Sequence, residues 1–411
     1  MDKKIKNAIK KVIPENVIRL LRAKINQHKI NRMGEDIKVD FSKKSYPIGV
    51  NLIGMFSQDS GLGQSVRLVA HEIEKTNIPH GFIDFYAYPE MPKNNHEFDG
   101  KYTDSFKYGI NVFHVNMQDL FKVYEMVKPD DWHGHYNIAF WLWEMEEFPA
   151  QWIPMINQLD EIWTPAEYVS RAIRKVTTKP VYTIPYIVEA SYQEKYNRTY
   201  FSLPEDKFLF LMLFDSNSIT ERKNPMAAIN AYKKAFSKDN QSVGLVIKIG
   251  NARDYEIAEI KEALVGYNVY FVNGMLPKIE VNSLLHCVDV YVSLHRSEGF
   301  GLVLAEAMLL KTPTIATNYS ANTEFQNSST SCLVNYRLIP VGQDIYPYQK
   351  EFCWADPNVD QAADYMKKLF FHKEFYEHIQ KNAYLFMTDC QRKETSLNAV
   401  KGRIKEIYEN S

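Results

Sequence analysis

The sequence predicts an α/β protein made of two doubly wound domains, each a parallel sheet covered by helices on both faces. Three observations predict it. Short apolar runs of strand length alternate with amphipathic stretches of helix length from about Tyr46 onward. The alternation is played through twice, on either side of a junction near Tyr186–Leu203. The 411 residues are enough for two separate cores.

In the first half, Ile48–Phe56 reads as a buried strand, Leu62–Lys75 as a helix and His80–Tyr86 as a strand. Lys107–Val115, Asn137–Trp143, Glu161–Thr164 and Val181–Ile184 continue the strands, with helical patterns at Ala150–Leu159 and Ala166–Val176. The second half offers strands at Phe208–Phe214, Val243–Ile249, Val269–Asn273, Asp289–Leu294 and Thr314–Ala316, and helices opening at Pro225, Tyr255, Lys278 and Gly301. Helical patterns at Asp360–Leu369 and Ser396–Tyr408 close the chain. The expected division is a basic segment 1–35, a first domain 36–195, a second domain 204–385, and a C-terminal helix in 386–411 that packs back toward the first domain. In sheets of this kind ligands bind beyond the carboxyl ends of the strands, so the site is expected in the cleft between domains. The polar stretch Pro89–Ser105 is a candidate rim of that cleft.

Composition excludes several classes. The formal net charge of −1 gives no nucleic-acid-like basic excess. Cys287, Cys332, Cys353 and Cys390 are widely spaced and form no CxxC pair, which fits reduced thiols rather than a disulfide framework or zinc site. No run approaches the ~18–20 apolar residues of a membrane span, and the N-terminus lacks a signal peptide's apolar core. A cytoplasmic location is expected. Residues 1–32 nevertheless hold ten Lys or Arg against Asp2 and Glu15, with Ile5, Ile9, Val12 and Ile13, then Val17, Leu20, Leu21 and Ile25, at helical spacing. Such a segment either docks on an anionic membrane surface or lays its apolar stripe on the protein itself.

The sharpest chemical signal is Ser297-Glu-Gly-Phe-Gly-Leu-Val-Leu-Ala-Glu306-Ala-Met, which follows a strand and opens a helix. Gly299 and Gly301 fall where backbone must approach a ligand, and the N–H groups there, with Phe300 and Leu302, can hold an anion or sugar hydroxyl. Glu298 lies in the loop and Glu306 about two turns into the helix, so the two acids can grip separate points of one extended ligand. Taken alone, Glu298 would be a helix cap and Glu306 a solvated acid. The longer run, continuing from Asp289-Val-Tyr-Val-Ser and into Lys311-Thr-Pro-Thr-Ile-Ala-Thr, resembles the signature of retaining glycosyltransferases of family 4, which share the two-domain GT-B fold. Tyr336-Arg-Leu-Ile-Pro-Val, Tyr346-Pro and Trp354-Ala-Asp-Pro look like the branch acting in bacterial surface-polysaccharide assembly. The resemblance implies that Glu298 contacts the transferred sugar and Glu306 the ribose hydroxyls.

The resemblance also implies that Lys223, in Thr220-Glu-Arg-Lys-Asn-Pro225, binds the donor diphosphate. The family's usual upstream arginine is missing, Ser216 and Asn217 standing there, so either Arg222 or Lys248 would supply the second cation. Ser60-Gly61-Leu-Gly63-Gln-Ser lacks the third glycine of a dinucleotide fingerprint, because Arg67 and Leu68 occupy that stretch. In the family a glycine loop here lies against the donor phosphates and the acceptor. His114 ends a strand where the family often places an active-site histidine, with Asn116 beside it. Five of the six tryptophans fall between 132 and 163 and read as core, and Glu144, first after a strand, could touch an acceptor. Glu144, Glu146 and Glu147 lack a His or DxD partner, so no metal is expected.

The resemblance implies transfer of a sugar from a nucleoside diphosphate sugar to a hydroxyl of a glycan or lipid-linked glycan, with retention, and no cofactor is expected. Sugar-nucleotide hydrolysis or epimerisation on the same scaffold, and a non-catalytic glycan-binding or partner subunit, are the alternatives.

Overall fold

The computed structural model describes residues 15–41, 46–85 and 93–410. The first amphipathic stretch of the basic segment and the beginning of the Pro89–Ser105 rim lie outside the described residues. Six strands make the first sheet: β1 (Val50–Gly54), β2 (His80–Asp84), β3 (Ile110–His114), β4 (Tyr136–Phe140), β5 (Glu161–Thr164) and β6 (Val181–Thr183). Their spatial order is β2-β1-β3-β4-β5-β6, and every neighbouring pair is parallel. The second sheet holds β7 (Phe208–Asp215), β8 (Val243–Gly250), β9 (Val269–Val272), β10 (Val290–Ser293), β11 (Thr314–Thr317) and β12 (Cys332–Val334). Its order is β12-β11-β10-β7-β8-β9, again parallel throughout. Both sheets are covered on both faces, which is why their central strands read as unbroken apolar runs. All eight residues of β8 are buried.

Strand order reverses between β1 and β3 in the first sheet and between β7 and β10 in the second. Loops leaving the carboxyl ends of these two pairs diverge to opposite faces and open a crevice at each reversal. The loops after β1, β7 and β10 carry Gly61, Lys223 and Glu298, and His114 ends β3 itself, so topology places these residues at the two crevices.

Several elements depart from the sequence expectation for local physical reasons. Ala150–Gln158 is a 3-10 helix rather than an α-helix, because Pro154 inside it has no N–H for the longer-range ladder. The third strand begins only at Ile110, since Tyr108 before it is tied off by the Asn51 side chain, whose Nδ2 donates to Tyr108 O at 2.8 Å. A two-stranded antiparallel hairpin, β13 (Tyr336–Pro340) with β14 (Cys353–Pro357), is added beside the second sheet. The loop between them lays Tyr348 against Trp143 at 5.5 Å and Tyr346 against Trp152 at 6.4 Å. The tryptophans are core residues, none of the five in the first domain more than 2% exposed.

Helix Glu15–Glu35 runs along the first domain. Ile30 and Met33 are buried, and Gln27 Nε2 donates to Gln151 O at 2.9 Å. Leu21 and Ile25 on the same helix are 49% and 57% exposed. The C-terminal half of this helix therefore packs on the protein, while those two apolar side chains stay outside. At the other end of the chain, helix Cys390–Asn410 returns to the first domain. Arg403 pairs with the buried Glu161 of β5 at 2.6 Å, and Tyr408 OH donates to Gly49 O at 2.8 Å. Helix Lys373–Thr388, which the sequence reading did not anticipate, leads into it.

The crossing between domains is pinned by a buried acid. Glu72, in helix Gly61–Lys75, accepts a hydrogen bond from Ile187 N at 2.5 Å. Burial pushes its carboxyl up from 4.5 to about 8, against the pull of the Ile187 N–H and Lys75. A group whose folded value is raised holds its proton more tightly when native. Its contribution is complete below about 4.5 and is lost as pH rises through about 8. Glu72→Gln keeps the acceptor oxygen and cannot ionise. Its melting temperature is expected to gain on the wild type steadily as pH rises across that window, with the two curves converging in acid; parallel curves in a calorimetric pH series would contradict this.

Candidate active site

The loop after β7 is built to present two cations. A 3-10 turn, Ser216–Ser218, is followed by Ile219 at φ 65°, the single turn Thr220–Lys223, and Asn224 at φ 52°. A β-branched residue in that region costs about 1–3 kcal/mol and survives only where its surroundings over-determine it. Here they do. Thr220 Oγ1 donates to Glu256 Oε1 at 2.6 Å, Asn224 Nδ2 to Leu294 O at 3.0 Å, and Arg222 Nη1 to Ser297 O at 2.8 Å. Arg296 N also donates to Arg222 O at 2.8 Å. The turn is thus sewn to the loop that follows β10.

That second loop carries the acid. Glu298 N donates to Ser320 Oγ at 2.8 Å, and Ser320 is itself held at φ 74°. Gly301 at φ 93° then starts helix Leu302–Leu309. The Glu298 carboxylate meets Lys223 Nζ at 2.5 Å and Arg222 Nη1 at 3.3 Å. Burial alone would raise its pKa; Lys223 and Arg222 overcome burial and hold the carboxyl at about 2. Burial lowers Lys223, with Glu298 opposing that shift. Glu298 and Arg222 therefore remain charged across the physiological range. Because the folded value of Glu298 is depressed, the pair's contribution is complete above about 4.5 and lost only as pH falls through about 2.

Of the two candidates for the missing cation, Arg222 joins this cluster. Lys248, on β8, has Asp215 as its charged neighbour, and burial lowers its pKa. Glu306 is fully buried, and its carboxylate is paired with Lys278 at the start of the preceding helix, Lys278–Cys287. The Tyr291 phenol lies within electrostatic reach of both Glu298 and Glu306; burial first, then these two charges, raises its pKa. Phe300 and Leu302 build structure: Phe300 packs on Tyr186 at 5.0 Å and on Phe325 at 5.2 Å, and Leu302 lies against the core.

On the first domain, Ser60 Oγ caps helix Gly61–Lys75 by accepting from Gly63 N at 3.0 Å. A Cβ at Gly63 would lie 2.2 Å from Gln58 O, whereas one at Gly61 would meet nothing within 4 Å. Gly63 is therefore required by the turn, and Gly61 faces open space. His114 is fully buried, stacks on Phe140 at 4.8 Å, and shares a 3.3 Å hydrogen bond between Nε2 and Tyr186 OH. Burial lowers it to about 3, so the imidazole is neutral. Asn116 precedes helix Met117–Met126 without a side-chain capping bond.

Glu144 makes contacts that its sequence neighbourhood does not announce. Its carboxylate accepts from Tyr348 OH at 3.2 Å and lies 3.7 Å from Arg222 Nη2. It takes part in the interdomain contact, where Tyr348 of the β13–β14 loop meets it. Gly299 touches the same segment, its Cβ position 3.1 Å from Trp143 O, and Ser297 Oγ donates to Glu144 O.

The structure adds two features that the sequence reading missed. His295, three residues before Glu298, is buried, with Nδ1 3.0 Å from Ser293 Oγ and Nε2 3.1 Å from Asn322 Oδ1. Burial lowers its pKa and keeps it neutral. Its place at the end of β10 was the available signal. The second is a cavity of about 400 Å³ beyond the carboxyl ends of β8 and β9, with Ile247, Ile249, Phe271, Asn251 and Asn273 in its wall. Among the described residues no group of three or more His, Cys, Asp or Glu could hold a metal, and no helix is long and apolar enough to cross a membrane. Burial raises the Cys287 thiol to about 11 and that of Cys332 to about 12, which leaves both unreactive.

Residues 197–334 match the family model described as glycosyl transferases group 1. No curated protein matches the sequence. Among solved structures, sucrose-phosphate synthase from Thermosynechococcus elongatus is similar at TM-score 0.61 and 13% identity, over 89% of this chain and 100% of that one. Anabaena HepE in complex with UDP and glucose gives TM-score 0.60 and 10% identity, over 89% of this chain and 100% of that one. A variant of S. aureus TarM in complex with fondaparinux, alpha-GlcNAc-glycerol and UDP gives TM-score 0.54 and 14% identity over 75% of this chain. This chain spans 57% of TarM's length. The chain has the GT-B fold, and its second domain carries the match to the glycosyl transferases group 1 family.

Proposed function

We propose that the protein transfers a sugar from a nucleoside diphosphate sugar to a hydroxyl of a glycan or lipid-linked glycan, with retention of anomeric configuration. The observation that carries the reading is the buried cluster of Glu298, Lys223 and Arg222 at the β7/β10 reversal, inside the segment matched by the family model. A diphosphate leaving group gathers negative charge as the glycosidic bond breaks, and preorganised cations in a site shielded from water stabilise it most. Lys223 and Arg222 would supply that charge, so the reading needs no metal. Glu298 would then turn from these cations to the hydroxyls of the transferred sugar. Glu306, released from Lys278, would meet the ribose, and the cavity beyond β8 and β9 suits the base. The complexes of HepE with UDP and glucose, and of TarM with UDP, support this kind of donor.

In the reaction, the bond from the anomeric carbon to the diphosphate oxygen breaks while one to the acceptor oxygen forms on the same face. The acceptor's proton passes to the departing phosphate oxygen, so no separate protein base is required. Neutral His114, at the end of β3, would contribute a hydrogen bond rather than a proton transfer. The family resemblance of the signature and of the Tyr336–Pro357 region supports a place in bacterial capsule, O-antigen or exopolysaccharide assembly. A thermal-shift screen of nucleotide sugars is expected to find one that raises the melting temperature, because a ligand that binds only the native state stabilises it. With that donor, Lys223→Ala is expected to lower kcat by about 10²–10³, the loss found when one preorganised donor is removed. A screen in which no nucleotide sugar binds, or undiminished turnover by the variant, would contradict the proposal.

The exposed Leu21 and Ile25, in a segment rich in Lys and Arg, support docking of residues 1–32 on an anionic membrane surface. Cosedimentation with phosphatidylglycerol vesicles should drop when these residues are deleted, and binding that survives the deletion would exclude the role.

A further inference from the structure

A second cavity, of about 500 Å³, lies between the domains, and neither Lys223 nor Arg222 is in its wall. Its volume falls in the ordinary range for small-ligand sites, about 300–1,000 Å³. Both domains build it: Tyr168 and Glu146 come from the first, Tyr319, Ser320 and Glu324 from the second, and Tyr336 of β13 stands at the rim. Hydroxyls, carboxylates and phenol rings line it.

The arrangement suits a sugar. Tyr319 lies 5.8 Å from Tyr168 and 4.9 Å from Tyr336, ring to ring, which offers apolar faces for the C–H side of a pyranose. Tyr168 OH donates to Tyr319 OH at 3.3 Å, and Tyr319 OH donates to Glu146 Oε1, also at 3.3 Å. Burial raises the pKa of both phenols, and nearby charge adds to the shift, so both keep their protons. Bonds this long are weak and can be exchanged for bonds to sugar hydroxyls. The Glu324 carboxylate is fixed in the wall by Glu167 N at 2.9 Å and Tyr168 N at 2.7 Å.

Charge decides between ligand classes. Glu167 is neutralised by Arg174 at 2.6 Å, which leaves Glu146 and Glu324 facing one guanidinium, that of Arg171. A phosphate-bearing donor would be repelled here and drawn to Arg222 and Lys223. The cavity is also joined to the catalytic loop, since Ser320 Oγ accepts from Glu298 N and Tyr168 OH lies 3.4 Å from Ser297 Oγ.

We infer that this cavity is a subsite for a neutral saccharide unit of the acceptor glycan, separate from the donor site. The inference rests on the transferase reading for the word acceptor, and on the cavity alone for saccharide binding. Saturation-transfer NMR with a panel of neutral trisaccharides (gluco-, galacto-, manno- and N-acetylglucosamine series), run with and without saturating nucleoside diphosphate, tests it. At least one trisaccharide should bind the wild-type chain. Tyr336→Ala, at a side chain 39% exposed on the hairpin, should weaken that binding at least about tenfold, whereas Lys223→Ala should leave it in place. No binding by the wild type in either condition, or binding indifferent to Tyr336→Ala, overturns the inference. Failure of the transferase reading would show separately, as trisaccharide binding by a chain that no nucleotide sugar stabilises.

Discussion

Three charges taken out of water hold the centre of this molecule together. Dehydrating an ion costs several kcal/mol even after relaxation, and only close opposite charge with further hydrogen bonds offsets it. Glu298 meets that condition through Lys223 at 2.5 Å and Arg222 at 3.3 Å. Arg222 meets it through Glu298, two backbone carbonyls and the more distant Glu144. Two loops that follow different strands must therefore lie side by side. They can do so because β7 and β10 are neighbours in space although two strands separate them in sequence. The strain at Ile219 and Ser320 is intelligible on the same ground, since each stands where a loop turns sharply to keep the cluster closed.

The cluster also reaches across the cleft. Arg222 approaches Glu144, and Tyr348 bonds to the same carboxylate. Close backbone approach of Gly299 to Trp143 makes that position tight, a Cβ there lying 3.1 Å from Trp143 O. The tryptophan-rich segment after β4 is thus the surface on which the signature loop rests. Farther away, helix Cys390–Asn410 ties the end of the chain to the first domain, and the Glu72–Ile187 contact fixes the start of the crossing between domains. These contacts set how the two crevices face one another, and so whether groups from both domains can act on one ligand.

Much of this was legible in the sequence, because the signals are local. Buried parallel strands must be continuous apolar runs, so Phe208–Phe214 and Val243–Ile249 marked the second sheet without ambiguity. The candidate site residues follow strand ends, where folds of this class place ligands, and Glu298, Lys223 and Arg222 lie there. What escaped depended on contacts between distant residues or on backbone detail. Nothing in Glu144 announces Tyr348, 204 residues later. The pairing of Glu306 with Lys278 needs two helices whose packing one strand pattern does not reveal. The hairpin of β13 and β14 is exposed on most of its first strand, so it lacks the apolar signature that identified the rest. Gly61 and Gly63 looked equivalent in sequence, and only the position of Gln58 O separates them.

The central claim is that Lys223 and Arg222 are held by Glu298 until a diphosphate takes them. Calorimetric affinity for a nucleoside diphosphate, measured on the wild type, Lys223→Ala and Glu298→Gln, tests it most directly. Removing the cation should weaken binding, and removing the competing carboxylate charge should strengthen it, so the two variants move in opposite directions. Equal affinities across all three proteins would contradict the account.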